Sequence, residues 1–536
     1  MPEVPTHVDA IIVGAGFSGL YMLKRLKAQG LSAIIFERGS DVGGTWYSNR
    51  YPGARCDVES PYYSYSFDPE LEQEWEWTER YPAQDEIQAY LAHVADRYDL
   101  REDIYFDSTV ATAQYEERDN RWTVSTFGQG HGHITTAKYF ILATGCLSAA
   151  QLPSIEGIDQ FEGNIYHTGE WPDEEVDFTG QRVAVIGTGS SGVQAIPEIA
   201  DEASELYVFQ RTPNYSVPAE NGPLDQEWWQ QVKADYRAIR EKAKHTPTGL
   251  PFPPPDELAT EASEERRQEV FEYYWTAGGF RLGQCFGDLA VDAKANEHLA
   301  NFIRGKIDEI VEDPKTAQLL KPHNHPVGSK RITVGTQYYA TFNRDHVTLV
   351  NAREDAIKSI TETGVGTEHN NYEVDSIVFA TGFDAMTGSF TRMDIRGRDG
   401  KSLREHWEAG PKTYLGISVS GFPNMFILAG PGSPSVLTNM VTAIEQHVEW
   451  VDDHIAYLEE NQLQISEADP KSEDEWVEHV NAVSEMTLMH EANSWYLGAN
   501  VPGKPRVFMP YAGGLGGYRQ ICDDVAAEKY KGFQLV

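Results

Sequence analysis

The sequence contains few cysteines, and none of them stands at a spacing that would hold a metal ion. The four cysteines, at positions 56, 146, 285 and 522, are far apart and form no C-x-x-C pair. This spacing argues against a zinc site, a disulfide framework and a dithiol reductase, and it is typical of proteins from a reducing compartment. We therefore expect a cytoplasmic protein without a metal centre.

Long hydrophobic runs are also missing. The apolar stretches near Ile11 and Phe426 are short and are interrupted by Gly or Pro, whereas a membrane-spanning helix needs about 20 apolar residues. The first residues, Met-Pro-Glu-Val-Pro, lack the basic and apolar regions of a secretion signal. We expect neither a membrane segment nor secretion.

Basic residues are scarce. The 44 Lys and Arg residues stand against 82 Asp and Glu residues, which gives a formal net charge of -38. A surface of this sign repels nucleic acid and anionic lipid, so we expect neither as a partner. Two explanations stay open: ordinary acidic solubility, or a halophilic adaptation to molar salt, where a Debye length of about 3 Å screens the self-repulsion.

The chain is long and well supplied with apolar residues. Its 536 residues, 40% of them hydrophobic, predict an ordered protein of two to four domains. Near the start, an apolar run (8–13) is followed by a glycine-rich loop, a stretch with apolar residues at helical spacing (17–29) and a second apolar run (31–36). This order predicts a βαβ unit.

The glycine-rich loop of this unit reads Gly14-Ala-Gly16-Phe-Ser18-Gly19. In such a loop the first glycine permits the tight turn, the second lets the backbone approach a pyrophosphate, and the third lets helix and strand pack closely. The second apolar run ends at Glu37, which can accept hydrogen bonds from an adenosine ribose. The first unit is therefore predicted to bind a dinucleotide.

A second unit of the same kind begins at residues 182–187, with the loop Gly187-Thr188-Gly189-Ser190-Ser191-Gly192. Its second strand ends at Arg211, where an NAD site usually has an acid. A guanidinium can bind a 2′-phosphate through two hydrogen bonds, so the sequence favours NADP over NAD. Arg211 could instead be a solvated strand end, but the neighbouring Thr212 and a distal basic pair, Lys330-Arg331, favour phosphate binding.

The remaining segments differ in composition and in the spacing of their apolar residues. Short alternating runs between 110 and 140 indicate antiparallel strands, and two buried strands, 139–145 and 378–382, each end in Ala-Thr-Gly. Between 214 and 328, amphipathic stretches flank a proline-rich segment (247–255). This region predicts a helical insertion in the NADP-binding unit, with the proline segment as an extended connector.

A distinctive motif lies between the two glycine-rich loops. It contains Phe161, Gly163, His167 and Trp171 in the order F-x-G-x-x-x-H-x-x-x-W-P-D. In isolation, a His and a Trp in a linker are explained by packing. Placed between two nucleotide-binding units, the pattern resembles the signature of type I Baeyer–Villiger monooxygenases, and the resemblance extends over nearly the whole chain, from about residue 8 to residue 533.

The resemblance implies an α/β protein with two Rossmann-like dinucleotide-binding domains, one for FAD and one for NADP, and a helical insertion in the NADP domain. We expect the following segments: FAD-binding domain, 1–147 and 382–536; NADP-binding domain, 148–213 and 329–381; helical insertion, 214–328. The stretch 430–440 is expected to open the last helix of the FAD domain. Residues 49–57, 187–192 and 495–506 are most similar to phenylacetone-type members of the family.

The resemblance also implies which residues hold the cofactors. A G-G-x-W…Y-P-G-x-x-x-D segment lies over the flavin in this family, and it matches residues 43–57 here. The residues expected at FAD are Gly14, Gly16, Ser18, Gly19, Glu37, Thr45, Trp46, Tyr47, Asp57, Tyr63, Val110 and Met440. Those expected at NADP are Arg55, Gly187, Thr188, Gly189, Ser190, Ser191, Gly192, Arg211, Thr212, Lys330, Arg331 and Trp495.

The implied activity uses FAD and NADPH to insert one oxygen atom from O2 beside the carbonyl of an aryl or cyclic ketone, through a flavin C4a-peroxide, to give an ester or lactone. A peroxyanion needs a fixed cation and little water. Arg331 is the expected catalytic cation because a guanidinium stays protonated near neutral pH. Asp57 would orient Arg331, and a buried carboxylate at position 57 needs such a partner. His167 is expected to couple the domains.

Two alternatives stay open at this point. A flavin monooxygenase that oxygenates nitrogen or sulfur shares both glycine-rich loops and a similar junction motif, and sulfoxidation is also conceivable as a side activity of a Baeyer–Villiger enzyme. The chain could instead be a redox sensor that binds FAD and NADP without oxygenating anything. We expect a monomer.

Overall fold

Two sheets built largely of parallel strands organise the computed structural model, which describes residues 3–128 and 131–536. The strands are β1 (His7–Val13), β2 (Ala33–Phe36), β3 (Ile104–Tyr105), β4 (Thr109–Glu116), β5 (Arg121–Gly128), β6 (His131–Leu142), β7 (Asn164–His167), β8 (Arg182–Ile186), β9 (Glu205–Gln210), β10 (Ser216–Pro218), β11 (Thr333–Gly335), β12 (Val347–Asn351), β13 (Ile357–Thr361), β14 (Gly364–Thr367), β15 (Asn371–Glu373), β16 (Ser376–Phe379), β17 (Asp394–Arg396), β18 (Met425–Ile427), β19 (Ser466–Ala468) and β20 (Phe533–Leu535).

The helices follow the expected alternation with strands. They are α1 (Phe17–Ala28), α2 (Thr45–Ser48), α3 (Pro69–Glu74), α4 (Gln84–Arg97), α5 (Ser190–Glu202), α6 (Gln226–Lys244), α7 (Glu264–Ala277), α8 (Ala293–Ile310), α9 (Pro314–Leu320), α10 (Tyr338–Thr341), α11 (Gly388–Thr391), α12 (Leu403–His406), α13 (Met440–Glu460), α14 (Pro470–Glu485) and α15 (Leu515–Ala527). Within the described part of the chain, none of these helices combines the length and the apolar composition that crossing a membrane requires.

The first sheet has the strand order β17-β4-β5-β6-β1-β2-β3, with β18 beside β6. Strands β1, β2, β3, β6 and β18 run parallel, and β4, β5 and β6 form the antiparallel excursion predicted for residues 110–140. The register pairs Val13 with Phe36 and with Leu142. These three strand ends lie side by side, so the loops that follow them meet at one edge of the sheet.

The second sheet is parallel throughout, in the order β12-β9-β8-β16-β7. Helix α5 connects β8 to β9, which is the predicted second βαβ unit. The chain enters this half after β6, returns to the first sheet after β16, and carries the small antiparallel sheet β13-β14-β15 on the way. Two sheets built largely of parallel strands, each with a βαβ unit, thus confirm the predicted α/β fold class.

The helical insertion is shared between the two halves of the molecule. Helix α6 buries Trp229, Val232 and Tyr236 in the same apolar cluster as α1 and α13, whereas α7 and α8 bury Phe271 and Ile303 against the second sheet. The sequence alone placed the whole insertion with NADP. The large apolar side chains of α6 recur at helical spacing and form one face, and that face meets the cluster of the first half.

Polar contacts reinforce this placement of α6. Arg240 lies 3.1 Å from Glu72 of α3, which lies between β2 and β3 of the first sheet in sequence, and both side chains are buried. The proline connector also docks there: the Asn439 N–H donates to the Thr248 carbonyl at 2.8 Å, and the Leu515 N–H donates to the Pro247 carbonyl at 2.9 Å. The extended segment therefore packs against α13 and α15.

The expectation that residues 430–440 open the last helix of the FAD domain is wrong, because α14 and α15 follow α13. A local signal for α14 was present in the sequence. Asp469 accepts hydrogen bonds from the N–H groups of Lys471 and Ser472, and Pro470 occupies the first helical position. An acidic cap followed by proline is a common helix start.

Candidate active site

The first glycine-rich loop has room for glycine and little else. A Cβ atom on Gly14, whose φ is +103°, would lie 2.7 Å from the Ala143 carbonyl oxygen, and one on Gly19 would lie 1.9 Å from the Gly14 carbonyl oxygen. Helix α1 begins without a side-chain cap at Gly16. Its first N–H groups are therefore available to a phosphate, so the loop fits the pyrophosphate of a dinucleotide.

Glu37 closes this loop from the end of β2. Its side chain is buried, and its two oxygens accept hydrogen bonds from the N–H groups of Ala15 at 2.6 Å and Gly39 at 2.7 Å. Burial raises the pKa of Glu37, and these two N–H groups together with the charge of Arg38 oppose that rise. The carboxylate thus braces the loop itself. Its expected contact with the adenosine ribose stays a prediction.

The other residues expected at the flavin fall into two groups. Trp46 lies on α2 with Thr45 and Tyr47, and its Nε1–H donates to the Tyr63 hydroxyl at 3.2 Å. The remaining three are set in the framework: Ser18 and Val110 are buried, in α1 and β4, and Met440 is the first residue of α13. Their contacts with FAD stay predictions.

Asp57 has the cationic partner expected for it, and that partner is Arg331. The Arg331 Nε and Nη2 atoms each lie 2.8 Å from a different oxygen of Asp57, and Nη1 donates to the Val436 carbonyl at 2.8 Å. The Phe280 ring covers the guanidinium at 4.9 Å. Two parallel hydrogen bonds and a third to the backbone hold the guanidinium plane in one orientation.

This environment keeps Arg331 charged. Its side chain is 26% exposed and that of Asp57 is 20% exposed, so both are partly withdrawn from water. Burial alone would lower the pKa of Arg331, but the Asp57 carboxylate outweighs burial and raises the pKa above its ordinary value. A guanidinium already resists deprotonation, and here the neighbouring carboxylate strengthens that resistance.

Long-range contacts bring the two residues together. Arg331 lies just before β11, which pairs with β10, and its carbonyl accepts a hydrogen bond from the Asn214 side chain at 2.8 Å. Asp57 follows Cys56, whose N–H donates to the Pro82 carbonyl at 3.0 Å. The ion pair therefore joins the loop after α2 to the return point of the helical insertion.

The second glycine-rich loop repeats the geometry of the first. A Cβ atom on Gly187, whose φ is +117°, would lie 2.3 Å from the Ala380 carbonyl oxygen, and one on Gly192 would lie 2.3 Å from the Gly187 carbonyl oxygen. A Cβ atom on Gly189 would meet nothing within 4 Å. Ser190 and Ser191 begin α5, which has no side-chain cap. This loop also fits a pyrophosphate.

Beside this loop lies a cavity of 460 Å³ with a cationic wall. Arg211, Thr212, Lys330 and Arg353 line it, and Arg353 donates to the Thr212 hydroxyl at 3.0 Å. Burial, followed by repulsion from Arg211 and Arg353, lowers the pKa of Lys330. Several cations in one wall, Arg506 among them, suit a phosphate group, and the cavity brings together Arg211, Thr212 and Lys330, the three residues predicted to bind the 2′-phosphate.

Sequence reasoning missed three residues of these sites. Arg353 follows β12, and only the pairing of β12 with β9 places it beside Arg211. Phe280 and the Val436 carbonyl reach Arg331 from the insertion and from the loop before α13. A basic residue after a strand was a weak signal for Arg353, whereas nothing local marks Phe280 or Val436.

Arg55 and Trp495, which were predicted to bind NADP, do not line the cationic cavity. The Arg55 guanidinium is held by Glu79 at 2.8 Å and by the Tyr81 carbonyl at 3.1 Å. The Trp495 ring packs on Tyr496, with ring centroids 4.4 Å apart, and it does not belong to the lining of the cationic cavity. Contacts of Arg55 and Trp495 with NADP stay predictions, as does that of Thr188, which is buried beneath Thr212.

The junction motif connects the two halves. His167 ends β7; its Nδ1 accepts from the Gly169 N–H at 3.0 Å, and its Nε2 lies 3.4 Å from the Thr381 hydroxyl, just after β16. Burial lowers the pKa of His167. Its ring therefore bridges the segments where the chain enters and leaves the second half.

The other members of the motif shape the same junction. The Trp171 N–H lies 3.4 Å from the Ser48 carbonyl at the end of α2, beside the expected flavin residues. A Cβ atom on Gly163 would lie 2.3 Å from the Asp375 carbonyl oxygen and 2.5 Å from the Phe161 ring. The motif thus consists of a close packing point and a contact between the two halves.

Comparisons with known proteins agree with this geometry. A family model described as flavin-binding monooxygenase-like matches residues 8–219. The chain is 42% identical over 531 residues to cyclohexanone 1,2-monooxygenase from Acinetobacter sp, an alignment that covers 98% of this chain and 96% of that relative.

Solved structures extend the similarity to the whole fold. An oxidised steroid monooxygenase bound to NADP is 50% identical with a TM-score of 0.94, covering 99% of this chain and 100% of the other. The complex of OTEMO with FAD and NADP is 40% identical with a TM-score of 0.95, covering 99% of both chains. The chain therefore belongs to the Baeyer–Villiger monooxygenases, the FAD- and NADPH-dependent enzymes that insert one oxygen atom from O2 beside a ketone carbonyl.

Proposed function

We propose that Arg331 and Asp57 form the catalytic pair of this monooxygenase. The observation that carries the proposal is the bidentate ion pair, fixed further by the Val436 carbonyl and the Phe280 ring. When bound, FAD supplies the redox chemistry, since it accepts a hydride from NADPH and reacts with O2.

Arg331 contributes a permanent positive charge in a set orientation. A guanidinium has five N–H donors, and three of them are used on Asp57 and Val436. The Arg331 side chain also hydrogen-bonds the Tyr496 hydroxyl, which leaves one donor that we propose serves a negatively charged reacting group. Because the side chain is already held in place, no reorganisation is needed when negative charge develops, which is the condition for electrostatic stabilisation.

Asp57 acts as the positioning group. Its two oxygens hold the guanidinium plane, and its negative charge offsets part of the cost of keeping a cation in a partly buried site. Replacing Asp57 would therefore release the orientation of Arg331 and leave its charge less well compensated. Both effects weaken the same step, the stabilisation of the reacting anion.

We propose that the first glycine-rich loop and residues 45–47 hold FAD. NADP would occupy the second loop, with its 2′-phosphate in the cationic cavity between Arg211, Lys330 and Arg353. The fit rests on the glycine contacts of both loops and on the three converging cations. The domain segments 1–147, 148–213, 214–328, 329–381 and 382–536 describe the same division along the chain.

The substrate we propose is an aryl or cyclic ketone, converted by a monomeric enzyme. A relative named for cyclohexanone supports a cyclic ketone, and the similarity of residues 49–57 and 495–506 to phenylacetone-type enzymes supports an aryl ketone. A product screen over aryl, cyclic and linear ketones, with an amine and a thioether included, tests this choice. Faster oxygenation of the amine or the thioether than of every ketone would contradict it.

Arg331→Ala tests the catalytic pair. NADPH should still reduce the flavin under anaerobic conditions, because the cavity around Arg211 is intact. Ester formation in air should fall by at least about a hundredfold, the size of effect seen when one donor to a developing anion is lost. Stopped-flow absorbance measures the reduction, and gas chromatography measures the product.

Two further variants complete this experiment. Arg331→Lys keeps a positive charge but cannot form the bidentate pair, so we expect intermediate ester yields. Arg266→Ala removes an exposed arginine of α7 that pairs with Glu257, and it should behave as the wild type. Wild-type ester yields from Arg331→Ala would remove Arg331 from the reaction.

A further inference from the structure

His325 lies in the wall of the cationic cavity, upstream of Lys330 in the chain. Its side chain is only 7% exposed. The Nδ1 atom lies 2.9 Å from the Asn324 side-chain oxygen, and the ring packs edge-on against Tyr215 with centroids 5.3 Å apart. The Nε2 atom is buried and has no hydrogen-bond partner in the described part of the chain. A buried polar atom of this kind requires an explanation.

The hydrogen bond to Asn324 determines the tautomer of His325. An amide oxygen can only accept, so Nδ1 carries the hydrogen, and in the neutral ring Nε2 carries a lone pair. A phosphate oxygen without a hydrogen also only accepts. The neutral ring therefore cannot donate a hydrogen bond from Nε2 to a phosphate oxygen, whereas the protonated ring can.

The charges around the ring keep it neutral while the cavity holds no anion. Burial, followed by the positive charges of Lys330, Arg304 and Arg353, lowers the pKa of His325 to about 4. Arg304 is partly compensated by Glu297 at 2.8 Å. The other charged side chains that line the cavity are Arg211, Arg506 and Glu491. A bound dianion would oppose this cationic field and favour the protonated ring.

We propose that His325 is a proton-linked ligand of the NADP 2′-phosphate. On binding, the side chains that cover Nε2 move aside, and Nε2 takes up one proton from solvent and donates it in a hydrogen bond to a phosphate oxygen. The inference rests on the proposed function, because NADP has to occupy the cavity. It adds a fourth group to Arg211, Lys330 and Arg353, and it makes NADP binding depend on pH.

The direction of the pH dependence follows from proton linkage. Where the free ring is neutral and the bound ring is charged, the affinity for NADP⁺ falls by up to about tenfold for each unit of rising pH. NAD⁺ has no 2′-phosphate, so its affinity should lack this contribution. The ionisation of the 2′-phosphate itself is the same for every variant and cancels when variants are compared.

Titration calorimetry of the oxidised FAD-loaded enzyme with NADP⁺ and NAD⁺ tests the inference. Measurements at pH 7 in buffers of different ionisation enthalpy give the number of protons taken up. The wild type should take up more protons with NADP⁺ than His325→Gln does. His325→Gln should bind NADP⁺ about tenfold more weakly at pH 6, with a smaller loss at pH 8 and no change for NAD⁺.

A second variant addresses the tautomer directly. Asn324→Ala frees Nδ1, so the neutral ring can carry its hydrogen on Nε2 and donate without a proton from solvent. We expect Asn324→Ala to bind NADP⁺ with reduced proton uptake and with a flatter pH dependence. Asn324 is exposed, so folding should be unaffected, and thermal melting checks this for each variant.

The outcomes separate this inference from the proposed function. Equal proton uptake by the wild type and His325→Gln would overturn the role of His325. The cavity would still be the 2′-phosphate site if Arg211→Ala weakens NADP⁺ and spares NAD⁺. If Arg211→Ala also fails to distinguish the two nucleotides, the NADP site itself is misplaced and both ideas fail together.

Discussion

The two glycine-rich loops share one backbone plan but differ at the end of the second strand. Gly14 and Gly187 both have positive φ values, and each lies against a carbonyl of the neighbouring crossover strand. Beside the first loop, however, Glu37 is buried and bonded to two backbone N–H groups. Beside the second loop, Arg211 is exposed and opens into a 460 Å³ cavity.

This difference shows that two loops with the same glycine spacing can have different surroundings at the end of the second strand. The first loop is braced by its own acid, so its shape is maintained by internal hydrogen bonds. Among the described residues no carboxylate holds the second loop in this way. Burial, followed by repulsion from Arg211 and Arg353, lowers the pKa of Lys330 beside it. The first loop is thus held by contacts within the chain, whereas the second lies beside a cationic wall.

The largest effect should come from Gly19→Ala compared with Gly189→Ala. A Cβ on Gly19 overlaps a backbone oxygen at 1.9 Å, whereas a Cβ on Gly189 meets nothing within 4 Å. We expect Gly19→Ala to lose about 3 kcal/mol or more of unfolding free energy, and Gly189→Ala to lose less than about 1 kcal/mol.

Urea denaturation of the two variants measures this contrast. Gly189→Ala should fold normally and weaken only NADP⁺ binding, because its methyl group points into the space that a pyrophosphate would use. Equal destabilisation by the two substitutions would show that the open side of the second loop is not open in solution.

Arg211→Ala should weaken NADPH by about tenfold to a hundredfold, which corresponds to one charge-assisted hydrogen bond pair. NADH lacks the 2′-phosphate and should be affected little. Arg353→Ala should follow the same pattern with a smaller loss, since part of its hydrogen bonding goes to Thr212. Fluorescence titration with both nucleotides gives the ratio of the dissociation constants of variant and wild type. Equal losses of affinity for NADPH and NADH would contradict the assignment of Arg211 to the 2′-phosphate.

Glu37→Gln probes the brace of the first loop. A glutamine offers one acceptor oxygen where the carboxylate offers two, so one of the N–H groups of Ala15 and Gly39 loses its partner. The unfolding free energy should fall by about 1 to 3 kcal/mol, and FAD should dissociate faster in gel filtration. Arg211→Gln is the matched change at the other loop and should leave stability unchanged; a similar loss there would erase the contrast.

A further effect concerns His447, a buried histidine of α13, and appears only at acid pH. His447 accepts from the Ala429 N–H at 3.1 Å, lies 2.8 Å from the Tyr518 hydroxyl, and burial lowers its pKa from 6.5 to about 3. Below pH 6.5 the unfolded chain takes up a proton that the folded chain does not. The free energy of unfolding should therefore fall as the pH drops, by about 2 kcal/mol at pH 5 from this residue.

His447→Gln keeps one acceptor and one donor but removes the titration. Urea midpoints at pH 7.5 and pH 5 should differ less in this variant than in the wild type. In contrast to His325→Gln, NADP⁺ affinity should keep its pH dependence. A midpoint difference equal to that of the wild type would place the acid sensitivity in other groups.

Local patterns predicted the parts of the site that are local in the chain. The glycine-rich loops, Glu37 and Arg211 are positioned by residues within one βαβ unit, so their spacing was sufficient. The pairing of Asp57 with Arg331 came from a family resemblance, because 274 positions separate the two residues. Phe280, Val436 and Arg353 were missed because only tertiary packing brings them to the site.

The packing of α6 against the first half was not predicted, for a related reason. Its sequence shows an amphipathic helix, but amphipathic spacing does not indicate which part of the fold the apolar face packs against. The chain before and after α6 belongs to the NADP half. The burial of Trp229 and the ion pair between Arg240 and Glu72 decide the location. Both depend on partners more than a hundred residues away.

The excursion of α6 changes how the two halves are tethered. Besides the links after β6 and after β16, the chain passes into the first half between β10 and α6 and back again between α6 and α7. A rotation of one half against the other must therefore bend four stretches of backbone at once. We expect these four crossings to act as hinges in parallel, so that the two halves can make small concerted rotations but resist wide opening.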